Sequence, residues 1–156
     1  METYLTTIAP RNKTRPNMDN WYEPHYNKTS TLLTLNEQTF LEKLQSVVPD
    51  HLTVVCKVHA LSVLCPASKA NCLRWRQERD KIRSRYFDFV VCESSTFRIK
   101  AAIQLHAIAI GQERDALIYA SEDAQLPLFN IRPESFYDEK SLAVIFEVID
   151  AGENTS

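Results

Sequence analysis

At 156 residues the chain has room for one domain with a real core, and its 44% apolar and 24% charged residues are ordinary for a globular protein. A net charge of −2 argues against a generally basic nucleic-acid binder, though it is compatible with a local basic patch. No apolar run reaches the ~18 residues that a membrane span needs, and the two glycines, Gly111 and Gly152, are too few for a Walker loop or a dinucleotide fingerprint. Neither a membrane partner nor a nucleotide cofactor is expected.

Residues 1–30 are polar and aperiodic, with Pro10, Pro16 and Pro24. They read as a flexible arm. Its aromatic cluster, Trp21, Tyr22 and Tyr26, reads as a pin that holds the end of the arm, or as a contact for a protein partner. The opening METYLTTIAPRNKTRP lacks the charged-then-apolar order of a signal peptide, so the expected compartment is the cytoplasm. The cysteines at 56, 65, 72 and 92 have no zinc-like spacing. Cys56 and Cys92 sit in apolar runs and read as buried free thiols.

Thr34-Leu35-Asn36-Glu37 has the form of a capping box, with Asn36 an equally good N-cap. The spacing predicts a helix to about Val48 that buries Phe40, Leu41, Leu44 and Val47 or Val48. Glu37 is either a capping carboxylate or a group aimed at a site. His51–Val58 is β-branched and reads as a strand, and the loop from His59 carries one short helical turn at most. His59 has no ligand-like neighbour and reads as ordinary.

Leu73–Arg85 reads as a helix with a narrow apolar stripe of Trp75, Ile82 and Tyr86. From 74 to 85, Arg74, Arg76, Arg79, Lys81, Arg83 and Arg85 stand against Glu78 and Asp80, a net of four positive charges in a chain that is negative overall. Arg74–Glu78 and Arg76–Asp80 have the i,i+4 spacing of weak ion pairs. The segment is either a solvated face or a patch that follows nucleic-acid phosphates.

Tyr86–Ile110 is the centre of the chain, two apolar runs joined by a turn at Glu93–Thr96. Strand alternation puts Asp88, Val90 and Cys92 on one face and Phe87, Phe89 and Val91 on the other. In the second run Arg98, Lys100, Ala102, Gln104 and His106 oppose Phe97, Ile99, Ala101, Ile103 and Leu105. A buried Asp88 needs a cationic partner, Arg114 or another. After Gly111, residues 112–125 read as a helix with Ala116, Leu117, Tyr119 or Ala120, and Ala124 inward. Leu128–Ile131 is a short strand, and Asp138 caps a last helix to about Val148. The element order α, β, α, β, β, α, β, α predicts an α/β or α+β sandwich with a mixed central sheet of about four strands flanked by helices.

With these stretches in view, the chain resembles a small bacterial domain family of formally unknown function with a PD-(D/E)XK nuclease-like, restriction-endonuclease-like core. The resemblance rests on LLTLNEQTFLEKL at 32–44, RYFDFVVCE at 85–93, AAIQL at 101–105, ERD at 113–115 and LPLFNIRPESFYD at 126–138. It covers roughly residues 30–147, so the expected organisation is a flexible arm at 1–30, a nuclease-like domain at 31–149 and a disordered tail at 150–156. It also implies a metal site. In such cores an Asp on one strand, a Glu-x-(Lys or Asp) on the next and often a helix carboxylate hold magnesium or manganese, a hard cation that prefers charged oxygen ligands. Asp88 matches the first acid and Glu37 the helix carboxylate. At the third position this chain has Gln104-Leu105-His106, which removes one negative charge and puts an imidazole, better suited to zinc, copper or nickel, where an oxygen or a lysine is expected. His106 also reads as a satisfied core histidine, and Gln104 as a hydrogen-bond partner that seals Asp88. Arg114 and Asp115 are retained as a helix-borne pair beside the hairpin.

The expected function is a nuclease-like module that no longer cuts and that binds DNA, RNA or a protein, with Arg74–Arg85 as its nucleic-acid face and no cofactor. One alternative is a weak nuclease that uses magnesium or manganese held by Asp88. The other is a protein-interaction domain that uses the aromatic arm.

Overall fold

The structure is a computed structural model that describes residues 28–105, 115–132 and 137–153. The expected roles of Trp21, Tyr22, Tyr26, His106, Gly111 and Arg114 fall outside the described residues. The chain divides into two units between Leu32 and Leu33, and every element below belongs to the second.

Helix α1 (Leu35–Val47) starts at a complete capping box: the Thr34 hydroxyl accepts from the Glu37 amide, and the Glu37 carboxylate accepts from the Thr34 amide. Each bond satisfies an amide that the first turn leaves without a partner. Asn36 lies inside the helix and is not its cap. Strand β1 (Leu52–His59) leads into a 3-10 turn at Ala60–Ser62, then helix α2 (Leu73–Ile82). Strands β2 (Tyr86–Glu93) and β3 (Ile99–Leu105) form the central hairpin, followed by α3 (Ala116–Asp123), β4 (Leu128–Ile131) and α4 (Glu139–Glu153).

The fold is α+β: an open four-stranded mixed sheet in the order β1-β2-β3-β4, antiparallel except for the parallel β3–β4 pair. Its two faces bury separate cores. On one, Phe40 and Leu44 of α1 and Leu142, Ile145, Phe146 and Ile149 of α4 meet Phe89, Val91, Ala101 and Ile103. On the other, Ile82 of α2 and Leu117 of α3 meet Phe87, Val90, Cys92 and Ala102.

Two irregularities correct the simple alternation. The β2–β3 register shifts between Val91 and Cys92, so Cys92 pairs with Ile99 while Val91 still pairs with Ala101. A one-residue slip sends side chains to the other face. Ile99 therefore joins the α2/α3 core while Ala101 and Ile103 join the α1/α4 core. Phe97, expected on the strand face shared with Ile99 and Ala101, instead sits in the turn at φ 57° with 65% of its surface exposed. The second irregularity is at Lys57. Phe87, expected beside Phe89 and Val91, packs in the α2/α3 core, as does Val58, whereas Val54 and Cys56 face α1 and α4.

Element ends also moved. Helix α2 stops at Ile82 because the following residues are drawn into the sheet: Arg85 N–H donates back to the Ile82 carbonyl, and Tyr86 already pairs with His59. Asp115 caps α3, accepting from the Leu117 amide at 2.8 Å. Of the two candidates for its inward face, Ala120 packs in the core and Tyr119 is 54% exposed. Asp138 accepts from the Lys140 and Ser141 amides, as its capping role requires. Helix α4 runs on to Glu153, through residues expected in the tail, because Ile149 is buried and Asp150 reaches His51 at 3.2 Å.

Ser121 sits within α3 with its side chain fully buried and its hydroxyl without a partner. A buried hydroxyl that makes no bond is destabilising, and alanine is the better helix former. Ser121→Ala should therefore raise unfolding stability by about 1 kcal/mol. A urea midpoint unchanged or lowered in the variant would contradict this.

Candidate functional site

The site is built around a residue the sequence reading passed over. Lys57 sits near the end of β1, and its ammonium donates to Glu37 Oε1 and, at 2.9 Å, to Asp88 Oδ1. Glu37 comes from the first turn of α1 and Asp88 from β2, so three elements converge on one nitrogen. The remaining carboxylate oxygens are also taken. Glu37 Oε2 accepts from the Thr34 amide at 2.7 Å, and Asp88 Oδ2 accepts from the Leu105 amide of β3 at 2.9 Å. Glu37 thus caps its helix and joins the site, one oxygen for each task.

The backbone at Lys57 makes this possible. Its φ of 52° lies in the left-handed region, a conformation that costs a residue with a Cβ roughly 1–2 kcal/mol. Ladder partners flank it, Cys56 with Phe89 and Val58 with Phe87, but no pair forms at 57 and 88 themselves. Here the faces of β1 and β2 exchange, and the side chains of Lys57 and Asp88 reach the N-terminal end of α1. The cluster is largely enclosed, with side-chain exposures of 28% for Lys57, 12% for Glu37 and 13% for Asp88.

Burial by itself would discourage ionisation at Glu37. Hydrogen bonds from Lys57 and Thr34 and the Lys57 charge outweigh it and hold the carboxyl below its ordinary 4.5. At Lys57 burial again opposes the charge, but bonds to Glu37 and Asp88 and their attraction hold the ammonium above its ordinary 10.5. The Glu37 carboxylate and the Lys57 ammonium therefore each favour the charged form of the other. Burial, and then the nearby Glu37 carboxylate, push the neighbouring Cys56 thiol up, which keeps it protonated.

Gln104 does not seal Asp88. Continuing the register from Phe89–Ile103 sets Gln104 opposite Asp88 on β3. Ile103 and Leu105 pack in the α1/α4 core, however, so alternation turns Gln104 to the other face. Its Oε1 is buried with no hydrogen-bond donor. Asp88 finds its cation in Lys57, and Asp115 pairs with Arg85 at 3.3 Å.

These residues do not fit a magnesium ion. A hard divalent cation wants about six oxygens, several of them charged. Among the described residues Glu37 and Asp88 are the two carboxylates at the site, their four oxygens all have protein donors, and an ammonium already lies between them. Among the described residues no group of three His, Cys, Asp or Glu side chains is arranged to hold a metal.

The basic segment lies elsewhere. Helix α2 packs through Ile82 in the α2/α3 core, so the sheet stands between it and the Lys57 cluster. The expected i,i+4 ion pairs do not form. Glu78 is held by Lys81 at 3.1 Å, and Asp80 by Arg83 at 3.6 Å, with Arg79 at 3.9 Å. Arg79 also lies over the Trp75 ring, 5.7 Å from its centre. That leaves Arg74 and Arg76 with no acidic partner among the described residues. His59 is structural: Nδ1 accepts from the Leu61 amide, and Nε2 lies 2.7 Å from the Arg83 carbonyl.

Residues 29–149 match the family described as a protein of unknown function (DUF2726), and the chain belongs to that family. No curated protein and no solved structure gives a match. No helix among the described residues is long and apolar enough to cross a membrane.

Proposed function

We propose that this is a nuclease-like domain in which a lysine has taken the place of the metal, and that it binds nucleic acid without cutting it. One observation carries the reading: the Lys57 ammonium lies between Glu37 and Asp88, and each of the four carboxylate oxygens has a donor from the chain itself. In a PD-(D/E)XK-like core those two acids are the ones a divalent ion would use. With its ion replaced, the core becomes a rigid support for a surface.

The surface is the exposed part of α2, where Arg74 and Arg76, on opposite flanks of the helix, have no acidic partner among the described residues and can meet phosphate. Its separation from the Lys57 cluster by the sheet suits a domain that holds a strand away from any reactive group. Cation contacts to phosphate release counterions, so affinity should fall steeply with salt. Arg74→Glu combined with Arg76→Glu should weaken binding at least tenfold and flatten the salt dependence. Calorimetry should give no heat of specific binding with magnesium or manganese for the native chain, and heat for the Lys57→Ala variant, which removes the cation lying between Glu37 and Asp88. Cleavage by the native chain that Asp88→Ala abolishes would overturn the proposal, as would affinity indifferent to salt.

A further inference from the structure

On the α2/α3 side of the sheet, the loop at Pro66–Ser68 closes a groove of about 190 Å³ between the two helices. Four side chains of its lining bear on what it could hold: Arg74 and Glu78 of α2, and Tyr119 and Asp123 of α3. Arg74 has no acidic partner among the described residues. Glu78 is already engaged by Lys81 at 3.1 Å and 3.2 Å. Tyr119 is the one large apolar residue of α3 turned outward, with 54% of its surface exposed while its neighbours Leu117 and Ala120 are packed inside. The groove thus has a cation on its α2 wall and an uncovered aromatic ring on its α3 wall.

We infer that this groove binds a single nucleic-acid strand, with a base stacked on Tyr119 and a phosphate held by Arg74. The inference rests on the nucleic-acid reading above and assigns its ligand class. A single strand fits and a duplex does not, because a ring can stack only on a base whose face is open, and in a duplex neighbouring bases cover both faces. Asp123, which has no cationic partner among the described residues, is placed to accept from an exocyclic amino group, as carboxylates do from cytosine. An acidic peptide without aromatic side chains would satisfy Arg74 but would give the ring nothing to stack on.

Fluorescence anisotropy of the full chain at low salt, with labelled oligo(dC) and oligo(rC), tests this. Tyr119→Ala should weaken binding of the preferred strand roughly tenfold, and Tyr119→Phe, which keeps the ring, should not. A duplex of the same length should bind more weakly than the single strand. The tighter of the two oligonucleotides identifies the DNA or RNA source. Tyr119→Ala binding like the native chain, a duplex binding as tightly as the strand, or polyglutamate displacing the strand as readily as unlabelled oligonucleotide would each overturn the inference. Salt-dependent binding that Arg74→Glu and Arg76→Glu weaken but Tyr119→Ala does not would remove this inference alone. Failure to bind any nucleic acid would remove the nucleic-acid reading with it. Because Tyr119 is half exposed, the alanine variant should keep its melting temperature, which confirms that the loss is local.

Discussion

Lys57→Ala should destabilise the domain by about 3 kcal/mol, since removing one partner from an enclosed ion cluster strands the charges it leaves behind. Glu37 and Asp88, 12% and 13% exposed in the native chain, would be left as like charges facing each other with no cation between them. The loss depends on leaving those charges and not on losing the lysine as such. A triple variant that makes all three neutral at similar volume, Lys57→Met with Glu37→Gln and Asp88→Asn, should recover most of the stability. The pH dependence has a definite sign. The Glu37 carboxyl is held below its ordinary 4.5, so its stabilisation is complete above that value and is lost as pH falls through the lowered one. The Lys57 ammonium is held above its ordinary 10.5, so its stabilisation is complete below that value and is lost as pH rises through the raised one. The stability that Glu37 and Lys57 give the native chain should therefore be level between about pH 5 and pH 10 and shrink on both sides. A urea-unfolding series that gave a difference between the native chain and Lys57→Ala below about 0.5 kcal/mol near neutral pH would mark the cluster as an ordinary solvated one and remove the main support for a lysine in the metal's place.

Phe89→Ala should cost 3–5 kcal/mol, a large share of the ~5–15 kcal/mol that holds a domain together. Phe89 is fully buried at the middle of the α1/α4 core, its ring centre 5.2 Å from that of Phe40, which in turn meets Tyr137 edge-on at 4.9 Å. The consequence reaches the site. Phe40 lies one helical turn after Glu37, so the Phe40–Phe89 contact seats the start of α1 over β2 and holds Glu37 against Lys57. Loosening it should let the Glu37 carboxyl return toward its ordinary value, which NMR titration of the side-chain carboxyl would read. Val144→Ala, at a half-exposed position on α4, serves as the control and should change stability by less than about 0.5 kcal/mol. If Phe89→Ala cost no more than Val144→Ala, the two-core description of the sheet would be wrong.

How far the site could be read in the chain differs residue by residue. Glu37 had two readings that competed in sequence, and the folded chain satisfies both, because a carboxylate has two oxygens. Asp88 between two phenylalanines called for a cation, but adjacent residues could not say which. Lys57 itself carried a signal, a single lysine inside the apolar strand HLTVVCKV, where a charge must be paired if the strand is internal. The failed alternation at Phe87 and Ile99 had no comparable mark: a bulge and one left-handed residue reverse the facing of side chains whose sequence pattern is regular.

The sequence by itself determined the elements and their order, the capping box of α1, the Asp138 cap, the hairpin and the local excess of positive charge, because these depend on neighbours a few residues apart. The tertiary structure alone decided that Lys57 lies between Glu37 and Asp88, that Gln104 faces away from them, and that the basic helix occupies the opposite side of the sheet. Those outcomes depend on which strand lies beside which, and on two local breaks in register whose effect is to exchange faces. Pairing across 20 or 31 residues, as Lys57 makes with Glu37 and Asp88, is set by the packing of whole elements and not by any pattern within them.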